Sequence, residues 1–293
     1  MRILVTGGTG FVGAPLCRAL KGEGHAVTVV SRHGGMPDIP SVGWDDVEGV
    51  LPEIDGVVHL AGEPIAARRW SNAQKHRIAG SREGRTRALV EAMGRVSQRP
   101  GVLVSASAIG YYGPRGDEPL DETAPPGSDF LAQVCDVWER EARRAEALGV
   151  RVVRLRLGIV LAPDGGALAR MLPPFRRFMG GQLGSGKQWM SWIHRDDVLG
   201  LVMEALTNPA YAGAVNATAP NPVTNAEFTR VLASVLMRPV WLNVPGFALR
   251  LALGEMASMI LTGQRVLPAV AQRLGYSWHF PDLTSALRAT VRR

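Results

Sequence analysis

The sequence predicts an α/β protein built on a doubly wound parallel sheet, and three observations predict it. Apolar, strand-like runs alternate with helix-like segments from residue 2 to residue 157. The first of these runs ends in a glycine-rich turn that opens directly into a helical pattern. Beyond Gly158 the alternation stops and prolines and glycines cluster, which predicts a second, smaller lobe. A repeated strand–helix–strand rhythm is satisfied by parallel strands joined through right-handed crossovers, with helices on both faces.

The first strand centres on Ile3–Val5 and breaks at Thr6-Gly7; glycines recur at positions 7, 10 and 13, and Phe11, Val12, Leu16 and Leu20 follow with helical spacing. Gly7 allows the turn, Gly10 admits a phosphate to the backbone, and Gly13 lets helix and strand pack closely. Free amide hydrogens and the helix dipole favour an anion there, the geometry that receives a dinucleotide pyrophosphate. The second strand, His25–Val30, ends where an NAD site would place an acid on the ribose 2′-hydroxyl. This chain has Ser31-Arg32-His33 instead, and the next acid is Asp38. A hydroxyl and the planar fork of a guanidinium suit a 2′-phosphate, so Ser31 and Arg32 point to NADP.

Gly56–Ala61 reads as a buried strand, and Asn72–Val96 as a long helix capped by Ser71. Gly101–Ser105 is the next strand, Asp129–Leu148 a helix, and Arg151–Leu157 a further strand. After the break come short helices near Ala226–Met237 and Phe247–Leu261. The expected organisation is a Rossmann-type doubly wound parallel sheet with a smaller C-terminal α/β substrate lobe. Residues 1–157 form the NADP-binding domain, 190–217 return to it, and 158–189 with 218–293 form the smaller lobe. Ligand chemistry belongs at the carboxyl ends of the strands, between the two.

Composition narrows the function classes. Of 293 residues, 46% are hydrophobic, enough for a substantial core. The first strand begins at residue 2, so no signal or transit peptide is expected, and a cytoplasmic location follows. Cys17 and Cys135 cannot make a disulfide framework, which suits a reducing compartment. The apolar stretch Phe247–Leu261 carries Arg250 and Glu255 and is too short to span a bilayer. It reads as a buried or amphipathic helix with Met256 and Met259 as core filler, and no membrane partner is expected. The formal charge of +7 comes almost wholly from arginine, since Lys21, Lys75 and Lys187 are the only lysines. The cations are scattered and no recognition motif accompanies them, so no nucleic-acid partner is expected. The excess suits an anionic cofactor or substrate; arginine-rich coding accounts for it equally well.

With these residues placed, the chain resembles an extended short-chain dehydrogenase/reductase of the NAD(P)-dependent epimerase/dehydratase type. Thr6-Gly7-Gly-Thr-Gly10-Phe-Val-Gly13 matches its glycine signature, Asp55-Gly-Val-Val-His59-Leu-Ala-Gly62 its fourth-strand motif, and Ser105-Ala-Ser107-Ala-Ile-Gly-Tyr-Tyr-Gly113 its serine strand. Ser191-Trp192-Ile-His194-Arg-Asp-Asp197 matches its late motif. Ala61-Gly-Glu63-Pro-Ile, Arg69-Trp70, Ser81-Arg82, Trp138-Glu139, Gly165-Gly166, Leu267-Pro-Ala and Phe280-Pro-Asp-Leu narrow the likeness to the atypical epimerase family proteins. That subgroup carries a C-terminal domain of unknown function, here about Val244–Arg293. The resemblance implies a cofactor-binding set of Gly7, Thr9, Gly10, Phe11, Val12, Gly13, Ser31, Arg32, Leu60, Ala61, Gly62, Glu63 and Ser105. It also implies a homodimer formed through helices that flank the sheet.

One departure matters more than the match. The family's chemistry uses a serine, plus a tyrosine and a lysine four residues apart on the following helix; the ammonium lowers the tyrosine pKa so that the phenol exchanges a proton. Ser107 fits the serine position, but no Tyr-x-x-x-Lys exists: Arg115, Gly116, Val215 and Phe280 lie four residues after the four tyrosines. Alignment on Trp138-Glu139 puts Leu131 at the tyrosine position and Cys135 at the lysine position. Tyr111 and Tyr112 follow Ser107 on a glycine-bounded loop, and either phenol can supply the missing proton or simply pack. His59 lies inside an apolar strand and reads as a hydrogen-bonded core histidine. His194, before a capping Asp196, reads as a staple between the lobes. Arg69 with Trp70, and Ser81 with Arg82, suit a planar or anionic substrate as well as they suit surface packing. No His/Cys/Asp cluster has metal spacing. Ser107, Tyr111 and Tyr112 are therefore the catalytic candidates of an NADP(H)-dependent oxidoreductase or epimerase acting on a small polar metabolite, a class that includes nucleotide-linked ones. The alternative is a regulatory protein that holds NADP(H) without turnover.

Overall fold

The protein is described from a computed structural model, which covers residues 1–32 and 34–291; His33 of the strand-end triplet and the last two residues of the expected lobe lie outside that range. The first half runs β1 (Arg2–Thr6), α1 (Gly13–Gly22), β2 (Ala26–Val30), β3 (Ser41–Val42), α2 (Val47–Val50), β4 (Gly56–His59), α3 (Asn72–Arg95), β5 (Val102–Ala108), β6 (Pro119–Leu120), α4 (Phe130–Arg143) and β7 (Arg151–Leu157). There follow β8 (Ile159–Leu161), α5 (Gly166–Arg176), β9 (Gly181–Leu183), β10 (Trp189–Met190), β11 (Trp192–His194), α6 (Arg195–Thr207), β12 (Gly213–Ala217) and β13 (Val223–Thr224). The chain closes with α7 (Asn225–Leu236), β14 (Leu242–Val244), α8 (Gly246–Leu253), α9 (Ser258–Leu261), β15 (Arg265–Val266), α10 (Ala269–Arg273) and α11 (Leu283–Val291).

Among the described residues, seven strands form one sheet in the order β12-β7-β5-β4-β1-β2-β3, and every neighbouring pair is parallel. From β1 the chain builds outward through β2 to one edge, then returns to β4 on the other side. That reversal opens a crevice at the carboxyl ends of β1 and β4. The register keeps those ends level: Thr6 pairs with His59, and His59 with Ser105.

Alternate residues of each strand enter opposite layers. Ile3, Val5 and Val104 pack with Leu16 and Leu20 of α1 and with Val198, Leu201 and Val202 of α6. Leu4, Val57, Leu103 and Val152 pack with Leu89 and Met93 of α3 and Ala142 of α4. Burial on both faces explains why these strands read as near-continuous apolar runs. A third cluster, around Leu168, Trp192, Phe228, Leu232 and Leu287, packs α5, β11, α7 and α11 together. Local signals set the helix starts: Ser71 Oγ accepts the Gln74 N–H at 3.2 Å and Asp129 Oδ1 accepts that of Ala132 at 2.8 Å.

Two expectations need correction. The segment 247–261 is not one buried helix. Gly254, at φ +62°, ends α8, and the chain passes through a short turn before α9. None of the residues of α8 is buried, while Met256 is buried as expected and Met259 is partly so. Asp196 is also not the cap of α6: the His194 side chain accepts the Asp196 N–H at 3.2 Å. Among the described residues no helix is long and apolar enough to cross a membrane.

Candidate functional site

The crevice begins with glycine. Gly7 sits at φ +70°, and the Gly10 N–H closes the turn onto Gly7 O at 3.0 Å. A Cβ on Gly13 would lie 2.1 Å from Gly7 O and 2.8 Å from Gly8 Cα, both backbone atoms that cannot step aside. A Cβ on Gly7 would meet the Leu60 carbonyl carbon at 2.8 Å. Turn, helix and the strand-end loop after β4 are thus packed at backbone contact, and only hydrogen fits between them. Val12 occupies the N-cap of α1 without a side-chain cap bond, and no acid sits in the first turn. Amides at that helix end remain available to an anion. Thr9 and Gly10 are exposed beside it.

Phe11 is held from above. Cβ atoms on Gly165 or Gly166 would lie 2.4 Å and 3.0 Å from its ring, and the Arg195 guanidinium stands 5.4 Å from the ring centre. Arg195 also donates to Phe11 O and to Asp164. The paired glycines at the start of α5 are therefore the roof of the turn. At the end of β2, Arg32 is exposed, while Ser31 is half-buried with its N–H bonded to Val42 O.

His59 organises the floor. The Ala61 N–H donates to Thr6 Oγ1 at 3.3 Å, and Thr6 Oγ1 lies 2.7 Å from His59 Nδ1. On the other side, Thr86 Oγ1 donates to Arg82 O at 2.6 Å and must accept from His59 Nε2 at 2.9 Å. This chain fixes the neutral Nε2–H tautomer, and burial pushes the imidazole down to about 4. The loop beyond it is braced by the helix: Ser81 Oγ accepts the Glu63 N–H at 3.0 Å, and Arg82 Nη1 donates to Glu63 O at 3.1 Å. Arg82 lies 5.1 Å from the Trp138 ring and 3.3 Å from where a Gly62 Cβ would stand. Ser81 and Arg82 shape the Leu60–Glu63 loop. Arg69 reaches Leu251 O, and Lys75 pairs with Glu255 at 2.5 Å, tying the start of α3 to α8 and the turn after it.

At the end of β5, Ser105 and Ser107 are both buried. Ser107 Oγ donates to Glu139 Oε1 at 2.8 Å. The same oxygen accepts from Arg156 Nε at 2.8 Å; Oε2 accepts from Arg156 Nη2 at 3.0 Å and Arg154 Nη1 at 3.1 Å. Arg156 then donates through Nη1 to Tyr112, whose hydroxyl donates to Asn216 Oδ1 at 2.6 Å. Tyr112 is wholly enclosed, and burial pushes its phenol up to about 12. Tyr111 is half-buried, its ring centre 3.6 Å from the Arg156 guanidinium; burial raises its phenol, and the arginine opposes that rise. Of the three catalytic candidates, Tyr111 alone keeps both exposure and an unspent hydroxyl among the hydrogen bonds found.

Sequence reasoning named Trp138-Glu139 as a resemblance and missed what Glu139, Arg156 and Asn216 do. The available signal was an arginine recurring inside the apolar strand Arg151–Leu157, which forces a buried counter-charge. Leu131 and Cys135 do face the serine loop: a Cβ on Gly110 would lie 3.5 Å from Leu131 Cβ and 3.9 Å from Cys135 Sγ. Burial pushes the Cys135 thiol up to about 12.

The model of the NAD dependent epimerase/dehydratase family matches residues 3–217, and that of a domain of unknown function (DUF1731) matches 244–290. This chain belongs to the NAD dependent epimerase/dehydratase family. It is 45% identical over 304 residues to the chloroplastic SDR39U1 homolog, an epimerase family protein of Arabidopsis thaliana, covering 100% of this chain and 87% of the plant protein. It is 38% identical to the epimerase family protein YfhF of Bacillus subtilis, covering 99% of this chain and 98% of that one. Among solved structures, human epimerase family protein SDR39U1 (isoform 2) with NADPH superposes at a TM-score of 0.93, with 36% identity and all of both chains covered. A nucleoside-diphosphate sugar epimerase from Corynebacterium glutamicum superposes at 0.80 with 33% identity, covering 99% of this chain and 58% of that one.

Proposed function

We propose that this chain is a cytoplasmic NADP(H)-dependent oxidoreductase or epimerase acting on a small polar metabolite, a nucleotide-linked sugar being the class in view. The observation that carries the reading is the backbone-tight glycine cradle, with Gly13 against Gly7 O, leading to Arg32 in place of an acid at the end of β2. The human relative crystallised with NADPH supports the cofactor, and the Corynebacterium relative supports the substrate class. Gly7, Thr9, Gly10, Phe11, Val12 and Gly13 would hold the pyrophosphate, and Ser31 and Arg32 the 2′-phosphate. Leu60, Ala61, Gly62, Glu63 and Ser105 would line the path from adenosine to nicotinamide. When bound, the nicotinamide supplies a hydride acceptor or donor. Tyr111 would exchange the proton, the Arg156 guanidinium opposing the rise that burial imposes on its phenol. Ser107 orients the reacting oxygen from behind. The two lobes would follow the split at residue 157, with 190–217 returning to the main domain through α6 and β12.

A second reading has its own observation. Alignment on Trp138-Glu139 assigns Leu131 and Cys135 to the tyrosine and lysine positions, and Ser107 and Tyr112 are spent on a buried network. A protein that binds NADP(H) without turnover fits those facts. Isotope transfer separates the two readings: NADPH deuterated at nicotinamide C4, in pro-R and pro-S forms, is incubated with a small-molecule extract and the wild type or Tyr111→Phe. Label reaching one metabolite, and lost in the variant, establishes a reductase with Tyr111 in its site. No label with either form, while NADPH binds, removes the net reductase and leaves the epimerase to a separate assay of C–H stereochemistry.

A further inference from the structure

Among the described residues, exposed large apolar side chains are confined to one region. Apart from Met1, they are Phe178, Met179, Met237, Val240, Trp241, Leu242, Phe247 and Leu251. All eight fall in two segments, 165–195 and 228–254, neither of which contains an aspartate or glutamate. The segments carry five and three cations respectively. Against a formal charge of +7 for the whole chain, the remainder is left at −1. Arg195 is paired with Asp164 just outside the first segment, and the other seven cations place the basic excess in the same stretches as the exposed apolar groups.

The fold brings the two segments together. β14 pairs with β9, Leu242 lying opposite Gly181. Trp241 Nε1 donates to Phe178 O at 2.8 Å, and the Arg238 guanidinium stands 4.5 Å from the Phe178 ring. Two residues beyond β14, α8 starts and presents Phe247 and Leu251 one turn apart, at 72% and 80% exposure. Trp241 and Met237, at 73% and 84%, protrude from the approach to β14. Arg176, Arg177 and Arg250 are exposed among them.

We propose that this surface docks peripherally on an anionic lipid bilayer. Protruding aromatic, leucine and methionine side chains beside arginine, with no acid between, match the chemistry of an interface whose headgroups are negative and whose interior is hydrocarbon. A second copy of the same surface would set arginine against arginine. Single-stranded nucleic acid would use the aromatic rings and the charge but leave the five aliphatic and methionine side chains without a partner. The expectation of no membrane partner rested on the absence of a span, and a docked surface needs none.

The test is co-sedimentation of the full-length protein with vesicles of phosphatidylcholine alone or mixed with phosphatidylglycerol. Sedimentation with the mixed vesicles, at least about tenfold above phosphatidylcholine and weakened by salt, is the expected result. F247S/L251S and R176Q/R177Q should each cut the bound fraction about tenfold while leaving the melting temperature and NADPH affinity unchanged. Failure to sedimentation with either vesicle, or binding that both variants retain, overturns the proposal. A wild-type dimer in light scattering that F247S/L251S dissociates, without vesicle binding, assigns the surface to a second copy instead. Tight binding to a single-stranded oligonucleotide in place of vesicles assigns it to nucleic acid.

Discussion

The hydroxyl of Ser107 donates to Oε1 of Glu139 across 2.8 Å, so its proton is committed before any substrate arrives. An oxygen in that state offers only lone pairs and favours a substrate hydroxyl over a carbonyl. Glu139 in turn has both carboxylate oxygens doubly occupied, by Ser107, Arg154 and Arg156. Glu139→Gln replaces an acceptor with a donor facing buried arginines, and should cost about 3–5 kcal/mol in urea denaturation, as removal of one partner of a buried pair does. A loss below about 1 kcal/mol would show that the network is incidental.

The two adjacent tyrosines should separate by assay. Tyr112→Phe removes a hydroxyl bonded to Arg156 and Asn216 and should lower stability by about 1–3 kcal/mol. Tyr111→Phe should leave the melting temperature nearly unchanged and abolish label transfer from deuterated NADPH. If the two swap behaviour, the proton route through Tyr111 is wrong.

Stability should depend on pH through His59. Its folded pKa, about 4, lies below the ordinary value of 6.5 because burial disfavours the cation. A depressed histidine gives stability that is whole above about pH 6.5 and is lost as pH falls toward 4. The loss comes to about 3 kcal/mol over that window, from roughly 1.4 kcal/mol per unit. Comparison with His59→Asn isolates this share from the carboxylates: the variant should be less stable at neutral pH and have a shallower slope between pH 6.5 and 4.

Gly13→Ala should damage cofactor binding and fold together. Its Cβ would stand 2.1 Å from Gly7 O, so helix and turn must separate. Overpacking of this kind costs about 1–3 kcal/mol, and NADPH affinity by fluorescence titration should fall at least about tenfold.

Arg32→Glu should reverse cofactor preference, since a carboxylate suits a ribose 2′-hydroxyl and repels a 2′-phosphate. The ratio of NADPH to NADH affinity should drop at least about a hundredfold, with stability unchanged because Arg32 is exposed. An unchanged ratio would remove Arg32 from the cofactor site.

The sheet was legible because its central strands β1 and β4 are buried on both faces and read as apolar runs, and because glycines at 7, 10 and 13 are there for backbone contact. The ribbons β8–β11, β9–β14, β10–β13 and β6–β15 were not, since two or three residues carry no periodicity. At the site, Ser107 and the tyrosines could be located but not their hydrogen bonds. Glu139 reaches them from a helix, and Asn216 from a strand more than a hundred residues beyond Tyr112. The roof that Gly165 and Gly166 place over Phe11 was equally hidden, because a glycine pair reads as a loop until its neighbour is known.

The position of β12 bears on how this protein is made. When residues 1–157 have left the ribosome, six strands can pair, but β7 still shows an open edge along Val153–Leu157. That edge waits for residues 213–217, which arrive only after α5 and α6 have been synthesised. During the interval the nascent chain presents a row of unpaired backbone groups of the kind that joins other chains. A fragment cut after β7 would keep that edge permanently. The strand that protects the nucleotide-binding half is thus delivered last, from beyond the point where the sequence first changes character.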